Sequence, residues 1–147
     1  MLNVGIVGLG TIGKVVAKAL DDGMNGLQLS SIASGRREKA EAFLATLNTP
    51  IKIMSIEEIA ESCEIVVDCA PKVVFAEIAN ATISRGKILV TVSGAGILAN
   101  PDIEKQAAEK KARVILATGA LLGLDAVRAA AEGTINSVKM VTRKPPN

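Results

Sequence analysis

The sequence of 147 residues contains no histidine, tyrosine or tryptophan, and phenylalanine occurs only twice. Histidine is the commonest general base and a common zinc ligand, so its absence argues against a conventional zinc site and against histidine-dependent proton transfer by this chain. Nucleic-acid binding has no support either, because the net charge is only +2 and no tyrosine or tryptophan is present to stack on bases. We therefore expect no metal and no nucleic-acid partner.

Long apolar runs and paired cysteines are also missing. No run approaches the roughly 20 residues that a membrane-spanning helix needs, because Asp68, Lys72 and Asp125 interrupt the best candidates. The N-terminus enters a strand without a basic segment and a cleavage site. Two cysteines, Cys63 and Cys69, are too few for a disulfide framework, and we interpret both as core residues. The expectation is a cytoplasmic protein with no membrane partner.

Hydrophobic residues make up 49% of the sequence and aromatic residues only 1%, so the core must be aliphatic. Short apolar runs alternate with helix-forming segments whose apolar residues recur at spacings of three and four. Repeated β-α units of this kind predict an α/β fold with a doubly wound parallel sheet of the Rossmann type. The predicted strands cover residues 2–7, 27–33, 51–54, 65–70, 87–92 and 113–117, and the predicted helices cover residues 14–20, 36–47, 56–63, 71–85, 101–112 and 125–131. Ser55, followed three residues later by Glu58, predicts a capping box at the start of the helix over residues 56–63.

A glycine-rich motif, G-x-G-x-x-G, joins the first predicted strand to the first predicted helix at residues 8–13. Gly8 suits a tight turn, Gly10 lets the backbone approach a pyrophosphate, and Gly13 lets the helix pack closely on the strand. The pyrophosphate would lie at the free N–H groups and positive dipole end of the helix. Glycines gather in many turns, but this strand-loop-helix context predicts dinucleotide binding.

The end of the second predicted strand bears on the choice between NAD and NADP. In this fold an acidic residue about 20 residues beyond the glycines binds the ribose hydroxyls and selects NAD. Here the sequence has Ser34, Gly35, Arg36 and Arg37 instead. A hydroxyl and two guanidinium groups suit a 2′-phosphate, which favours NADP, although the two arginines also fit a solvated helix start.

Other loops are predicted at the same edge of the sheet, where ligands of open α/β sheets bind. Ala70 is predicted to lie along the cofactor near its nicotinamide end. Ser93, which begins a predicted loop over residues 93–96, suits either a hydrogen bond to a ligand or a cap of the following turn. These loops contain no pair of nucleophile and base, so the sequence predicts a cofactor site without proton-transfer machinery.

Three segments together resemble the L-aspartate dehydrogenase family. They are the opening VGIVGLGTIG at residues 4–13, TGALLGLDA at residues 118–126, and TRKPP at residues 142–146. Many dehydrogenases share the opening, whereas the second and third segments, in this order and spacing, are much more particular. The resemblance covers the whole chain but only the N-terminal part of the family's length.

The resemblance implies an NAD(P)-dependent oxidoreductase that converts L-aspartate to iminoaspartate, which hydrolyses to oxaloacetate and ammonia or enters NAD biosynthesis. It implies cofactor contacts by Gly10, Thr11, Ile12 and Ala120, an amino acid as the small-molecule substrate, and a homodimer for the full-length form. The family's substrate domain supplies a catalytic histidine, which this sequence lacks. The catalytic residues are therefore left unassigned.

The resemblance also accounts for a seventh predicted strand, Ile135 to Thr142, which has no partner in a complete six-stranded unit. We expect residues 1–134 to form a dinucleotide-binding domain. Residues 135–147 are expected to begin a substrate domain that is otherwise missing, so that the chain is a truncated form.

Two alternatives remain open. The chain could be a stand-alone NADP-binding module without catalysis, an interpretation motivated by the missing histidine. It could also be a relative of homoserine dehydrogenase or dihydrodipicolinate reductase, which share the glycine-rich opening. The segment at residues 118–126 argues against this second alternative.

Overall fold

In the computed structural model, which describes residues 1–117, 124–139, 141 and 143, a six-stranded parallel sheet is flanked by helices. The strands are β1 (Leu2–Val7), β2 (Leu27–Ala33), β3 (Lys52–Ile53), β4 (Ile65–Asp68), β5 (Ile88–Thr91) and β6 (Arg113–Leu116). The helices are α1 (Thr11–Gly23), α2 (Arg37–Leu44), α3 (Ile56–Ser62), α4 (Phe75–Ser84), α5 (Gly94–Leu98), α6 (Ile103–Glu109) and α7 (Leu124–Ala130). A short 3₁₀ helix, Lys72–Val74, precedes α4.

The strand order is β3-β2-β1-β4-β5-β6. The chain adds β2 and β3 on one side of β1 and then β4, β5 and β6 on the other, so the switch point lies between β1 and β4. In open α/β sheets the ligand-binding crevice lies at this switch point, outside the carboxyl ends of the strands. The predicted doubly wound parallel sheet is confirmed.

By its internal contacts the chain divides into residues 1–117, which contain the sheet, and residues 118–147, which contain α7. The predicted domain boundary after residue 134 stays a prediction.

Two hydrophobic clusters, which are mostly aliphatic, hold the sheet between its helices. On one face Val4 and Ile6 of β1 pack with Ala17 and Leu20 of α1 and with Ala40 of α2. The other cluster joins the central strands to α3 and α4 through a larger set of buried side chains, which includes Ile59, Val66, Phe75, Ile78, Ile83 and Leu89. Because both faces of the sheet are covered, its strands read as continuous apolar runs in the sequence.

Helix α3 begins with a capping box, as the sequence predicts. The Ser55 hydroxyl accepts the Glu58 N–H at 3.2 Å, and the Glu58 carboxylate accepts the Ser55 N–H at 2.8 Å. Two otherwise unpaired N–H groups are satisfied by this exchange. The pKa of Glu58 lies below its ordinary value because the carboxylate accepts the Ser55 N–H.

Helix α2 is shorter than predicted, because it ends at Leu44 rather than at residue 47. The Thr46 hydroxyl donates to the Phe43 carbonyl at 2.7 Å, which offers the backbone a turn in place of a further helical residue. The N–H groups of Asn48 and Thr49 then donate to the Asp21 carboxylate at 2.8 and 2.9 Å. These polar contacts end the helix at Leu44, although apolar residues continue at helical spacing to residue 47.

The prediction of a strand from Ile135 to Thr142 is also wrong for the residues that the structure describes. Its described residues, 135–139 and 141, are in no strand of the structure, and Thr142 lies outside the described residues. Alternation of apolar and polar residues stabilises a strand only when a neighbouring strand accepts and donates its backbone hydrogen bonds. No strand pairing is recorded for these described residues.

Replacing Ser55 with Ala should lower the free energy of unfolding by about 1 kcal/mol, because α3 loses its side-chain cap. Urea denaturation followed by circular dichroism measures this change. Glu58→Gln is the matched control, since glutamine also completes a capping box and should cost less. The separate contribution of the Glu58 carboxylate should be lost as the pH falls through the carboxyl range, because protonation weakens its bond from the Ser55 N–H, which holds the pKa of Glu58 below its ordinary value. An unchanged stability at pH 7 would contradict this account of α3.

Candidate functional site

The turn between β1 and α1 leaves no room for a side chain at two of its glycines. Gly8 has φ +98°, and a Cβ there would lie 2.7 Å from backbone atoms of Cys69 and Ala70. A Cβ at Gly13 would overlap the Gly8 carbonyl oxygen. The start of α1 is thus held against the carboxyl ends of β1 and β4, as the sequence predicts for Gly8 and Gly13.

Gly10 is different, because nothing in the described fold requires a glycine there. Its φ is −76°, and a Cβ would have no heavy atom of the described residues within 4 Å. It is the N-cap residue of α1, which has no side-chain cap and no acidic residue in its first turn. Thr11 and Ile12 follow in that exposed turn. An uncapped helix start beside open space is suited to an anion.

A cleft of about 860 Å³ runs along the carboxyl ends of β1, β2 and β4. Gly8, Gly10 and Ile12 of the β1–α1 turn line it, as do Ser34 and Arg36 of the β2–α2 connection. Its other wall is mostly apolar and contains Met54, Ile56, Ala70, Pro71 and Val74. The cleft therefore brings Ala70 together with the glycine turn and the β2 end, as the sequence predicts.

The connection after β2 presents a hydroxyl and cationic side chains. The Ser34 hydroxyl accepts the Arg36 N–H at 3.3 Å, which leaves its own O–H free to donate. Arg36 lines the cleft. Arg37 is placed differently, because its Nε donates to Glu41 at 2.9 Å and it is absent from the described lining of the cleft. The structure thus brings Ser34 and Arg36 to the cleft, and the cofactor role of Arg37 stays a prediction.

A smaller pocket of about 290 Å³ opens beside the cleft and shares Leu9, Gly10, Ser34 and Arg36 with it. Its lining also includes Lys14 of α1 and Lys39 of α2, which the sequence analysis missed. The available signal was helical spacing: Lys39 lies three residues after Arg36, and Lys14 lies four after Gly10. That the two lysines meet depends on how α1 and α2 pack, which local spacing does not reveal.

A buried polar network connects the ends of β4 and β5. Asp68 is only 1% exposed, and its carboxylate accepts the Thr91 hydroxyl at 2.6 Å and the Ala70 N–H at 3.0 Å. Thr91 in turn accepts the Ser93 N–H at 2.9 Å. These bonds fix the backbone at Ala70, where it lines the cleft.

The prediction of a loop over residues 93–96 is wrong, because Ser93 is the N-cap of helix α5 and residues 94–96 begin that helix. Ser93 caps that helix by accepting the Gly96 N–H at 3.2 Å. Two glycines in four residues favour a loop by propensity, but the serine cap satisfies the first turn. Of the two roles expected for Ser93, the cap is the one observed.

Cys69 follows β4 and lines the cleft. Burial raises the pKa of its thiol to about 11, and the nearby Asp68 charge acts in the same direction. Because the thiolate is the nucleophilic form, a thiol with this pKa is unreactive near neutral pH. Because Cys69 is half-buried and lines the cleft, the prediction that it is a core residue is wrong, whereas Cys63 is fully buried as predicted. The raised pKa of Cys69 still argues against a role as nucleophile.

Ala120, the remaining predicted cofactor contact, lies outside the described residues, as does the rest of the segment at residues 118–123.

No helix in the described part of the chain is long and apolar enough to cross a bilayer.

The strand order, the glycine turn at the switch point and the uncapped start of α1 define the class of this protein. It is a Rossmann-type dinucleotide-binding domain. More particularly, residues 8–117 match the model of the family described as "Homoserine dehydrogenase, NAD binding domain", and the chain belongs to that family.

The chain is also similar over nearly its whole length to L-aspartate dehydrogenases. It is 48% identical to the enzyme of Bradyrhizobium diazoefficiens over 98% of this chain and 51% of that protein. It is 39% identical to L-aspartate dehydrogenase 3 of Bordetella bronchiseptica over 99% of this chain and 54% of that protein. The resemblance found in the sequence is confirmed, and the chain spans about half the length of these curated relatives.

Among solved structures, scyllo-inositol dehydrogenase from Lactobacillus casei, with bound NAD(H) and scyllo-inositol, aligns with a TM-score of 0.71 at 15% identity. The alignment covers 89% of this chain and 41% of that one. At this identity the likeness shows the fold alone. The family match supports a nicotinamide dinucleotide as the cofactor.

Serine should destabilise the fold strongly at Gly8 and hardly at all at Gly10. Gly8→Ser should lower the free energy of unfolding by at least about 2 kcal/mol, because a side chain meets both positive φ and the backbone of Cys69. Gly10→Ser should change it by no more than about 0.5 kcal/mol, because serine is a good N-cap and meets open space. Thermal unfolding of the two variants measures the contrast. Equal destabilisation would mean that Gly10 is required by the fold.

Alkylation of Cys69 by iodoacetamide should be slow at pH 7 and should rise about tenfold per pH unit up to about pH 10, because a pKa of about 11 leaves little thiolate at lower pH. Cys69 shares a tryptic peptide, residues 53–72, with the fully buried Cys63, so fragment-ion mass spectrometry is used to locate the label. A rate that levels off near pH 8.5 would instead indicate an unperturbed, solvated thiol.

Proposed function

We propose that the cleft binds a nicotinamide dinucleotide, with its pyrophosphate at the start of α1. The observation that carries this proposal is Gly10, a glycine that neither backbone conformation nor packing against described residues requires. A pyrophosphate bound over Gly10 would explain why this residue is a glycine, because a side chain there would occupy the same space as the pyrophosphate. The free N–H groups of the first turn, at Thr11, Ile12 and Gly13, are then its hydrogen-bond donors.

The rest of the cleft suits the other parts of the cofactor. The apolar wall formed by Met54, Ile56, Pro71 and Val74 offers a surface for adenine. Ser34 and Arg36 lie where the fold places the adenosine ribose. Ala70, whose N–H is held by Asp68, lines the cleft on the side of β4. The hydride transferred in catalysis would be carried by the nicotinamide when the cofactor is bound, and these residues bind and orient it.

We propose NADP as the preferred cofactor. The described end of β2 carries no carboxylate that would repel a 2′-phosphate, and Ser34 and Arg36 offer it a hydroxyl and a guanidinium group. Arg37 adds positive charge to the same turn, although its Nε is bound to Glu41. NAD is the alternative, and relative affinities distinguish the two.

The proposed activity is that of an L-aspartate dehydrogenase, in which hydride leaves the α-carbon of L-aspartate and iminoaspartate forms. The similarity of 48% over nearly the whole chain to an enzyme of that name supports it. The proposal includes residues 135–147 as the beginning of a substrate domain. In the full-length form this domain is proposed to complete the active site and to form a homodimer.

A second candidate is a dinucleotide-binding module without catalysis. It is favoured by the lack of histidine in the sequence and by the raised pKa of the Cys69 thiol, although the carboxylates of Glu57 and Glu77 also line the cleft. NADPH formation by this chain on addition of L-aspartate and NADP would exclude the module. Tight NADPH binding without turnover on L-aspartate or other amino acids would support it.

Gly10→Val should abolish NADPH binding, because the branched side chain fills the space proposed for the pyrophosphate. Isothermal titration calorimetry of the variant and the unmodified chain measures the difference, with Gly10→Ala as the intermediate step. Retained thermal stability is the control that separates lost binding from lost folding. Unchanged affinity in a folded Gly10→Val variant would show that the glycine turn does not bind the cofactor.

Replacing both Arg36 and Arg37 with Ala should weaken NADPH binding by about tenfold or more and NADH binding by much less, because only NADPH carries the 2′-phosphate. The ratio of the two dissociation constants is the readout. Equal losses for NADPH and NADH would contradict a 2′-phosphate contact and leave NAD as the natural cofactor.

A further inference from the structure

The pocket beside the cleft carries an inference that rests on the proposed dinucleotide binding and deepens it. We infer that Lys14 and Lys39, with Ser34 and Arg36, form a binding pocket for a phosphate monoester, the 2′-phosphate of NADP. The two lysines are then specificity-determining residues that neither the glycine motif nor the β2 end identifies.

Three cationic side chains from three different elements line this pocket. Lys14 comes from the second turn of α1, Arg36 from the residue before α2, and Lys39 from the first turn of α2. Among the described residues the pocket lining contains no Asp or Glu. A concentration of like charge in one concavity costs free energy unless an anion is bound there.

The nearby ion pairs leave these three cations out. Lys18 pairs with Asp22 at 2.7 Å, and Arg37 pairs with Glu41 at 2.9 Å. Within the described part of the chain, no carboxylate oxygen is recorded within 4.0 Å of Lys14, Arg36 or Lys39. Glu41, two positions after Lys39, is paired with Arg37, and neither Glu41 nor Glu38, the acidic residue in the first turn of α2, lines the pocket.

Lys14 is also held in place. Its Nζ lies 5.5 Å from the centroid of the Phe43 ring, a cation–π contact between α1 and α2. Phe43 is partly buried and packs against the cluster that contains Ala17, Leu20 and Ala40, which restrains the ring. A lysine restrained in this way loses less conformational entropy when it binds an anion.

The position of the pocket matches a 2′-phosphate better than the pyrophosphate. It shares Leu9 and Gly10 with the cleft on one side and Ser34 and Arg36 on the other. In this fold the adenosine ribose lies at the end of β2, so a group on its 2′ position extends from Ser34 towards α2. The Ser34 hydroxyl, which accepts the Arg36 N–H, has its own proton to donate there.

The test compares NADPH with NADH, which differ only by the 2′-phosphate, in titrations of the 147-residue chain. Lys14→Ala and Lys39→Ala should each weaken NADPH binding by about tenfold, the scale of a lost charge-assisted hydrogen bond, and leave NADH binding within about twofold. Lys39→Arg should restore most of the NADPH affinity. Lys18→Ala is the matched control, because it removes the same charge from α1 at a residue outside the pocket.

Salt provides a second readout. Raising the ionic strength should weaken NADPH binding more than NADH binding in the unmodified chain, and the difference should shrink in the Lys14→Ala, Lys39→Ala double variant. Equal losses of NADPH and NADH affinity, or no loss in either lysine variant, would overturn the assignment of this pocket. If the unmodified chain binds neither dinucleotide, the proposed function itself fails. These outcomes are therefore distinguishable.

Discussion

The close approach of the β1–α1 turn to the end of β4 is the constraint on which the site depends. The space between Gly8, Gly13 and the backbone of residues 69–70 excludes any side chain, so α1 starts directly above the sheet edge. Its uncapped N-terminus then faces the cleft at the switch point of the sheet. Gly10 lies between Gly8 and Gly13 in the sequence but makes no such close contact. We interpret its missing side chain as leaving room for a ligand.

The chemistry of the cleft follows from what surrounds that turn. Positive charge gathers at the β2 and α2 side, where Lys14, Arg36 and Lys39 line one pocket, whereas the wall from β3 and β4 is mostly apolar. The β4 end supplies a thiol whose pKa is raised by burial and a buried carboxylate, Asp68, that orders the backbone. The described residues can thus bind and orient a cofactor, and the proposed oxidation of L-aspartate needs further groups.

Much of the fold was predictable because local sequence and tertiary structure agree. The first two strands match their predicted bounds, and the serine and glutamate that open α3 form the expected capping box. Prediction was wrong where a side chain redirects the backbone, as Thr46 does at the end of α2 and Ser93 does at the start of α5. At the site, motif spacing identified the glycines, Ser34 and Arg36. Lys14 and Lys39 were missed because they meet only through the packing of α1 against α2.

The central claim is that a nicotinamide dinucleotide binds over the β1–α1 turn, and amide chemical shifts test it most directly. In ¹H–¹⁵N spectra of the labelled chain titrated with NADPH, the account predicts the largest shifts at residues 8–14 and at residues 34–36. Shifts concentrated at the opposite end of the sheet, where Asp21, Met24 and Thr49 line another cavity, would contradict it. The absence of any shift at saturating NADPH would also contradict it.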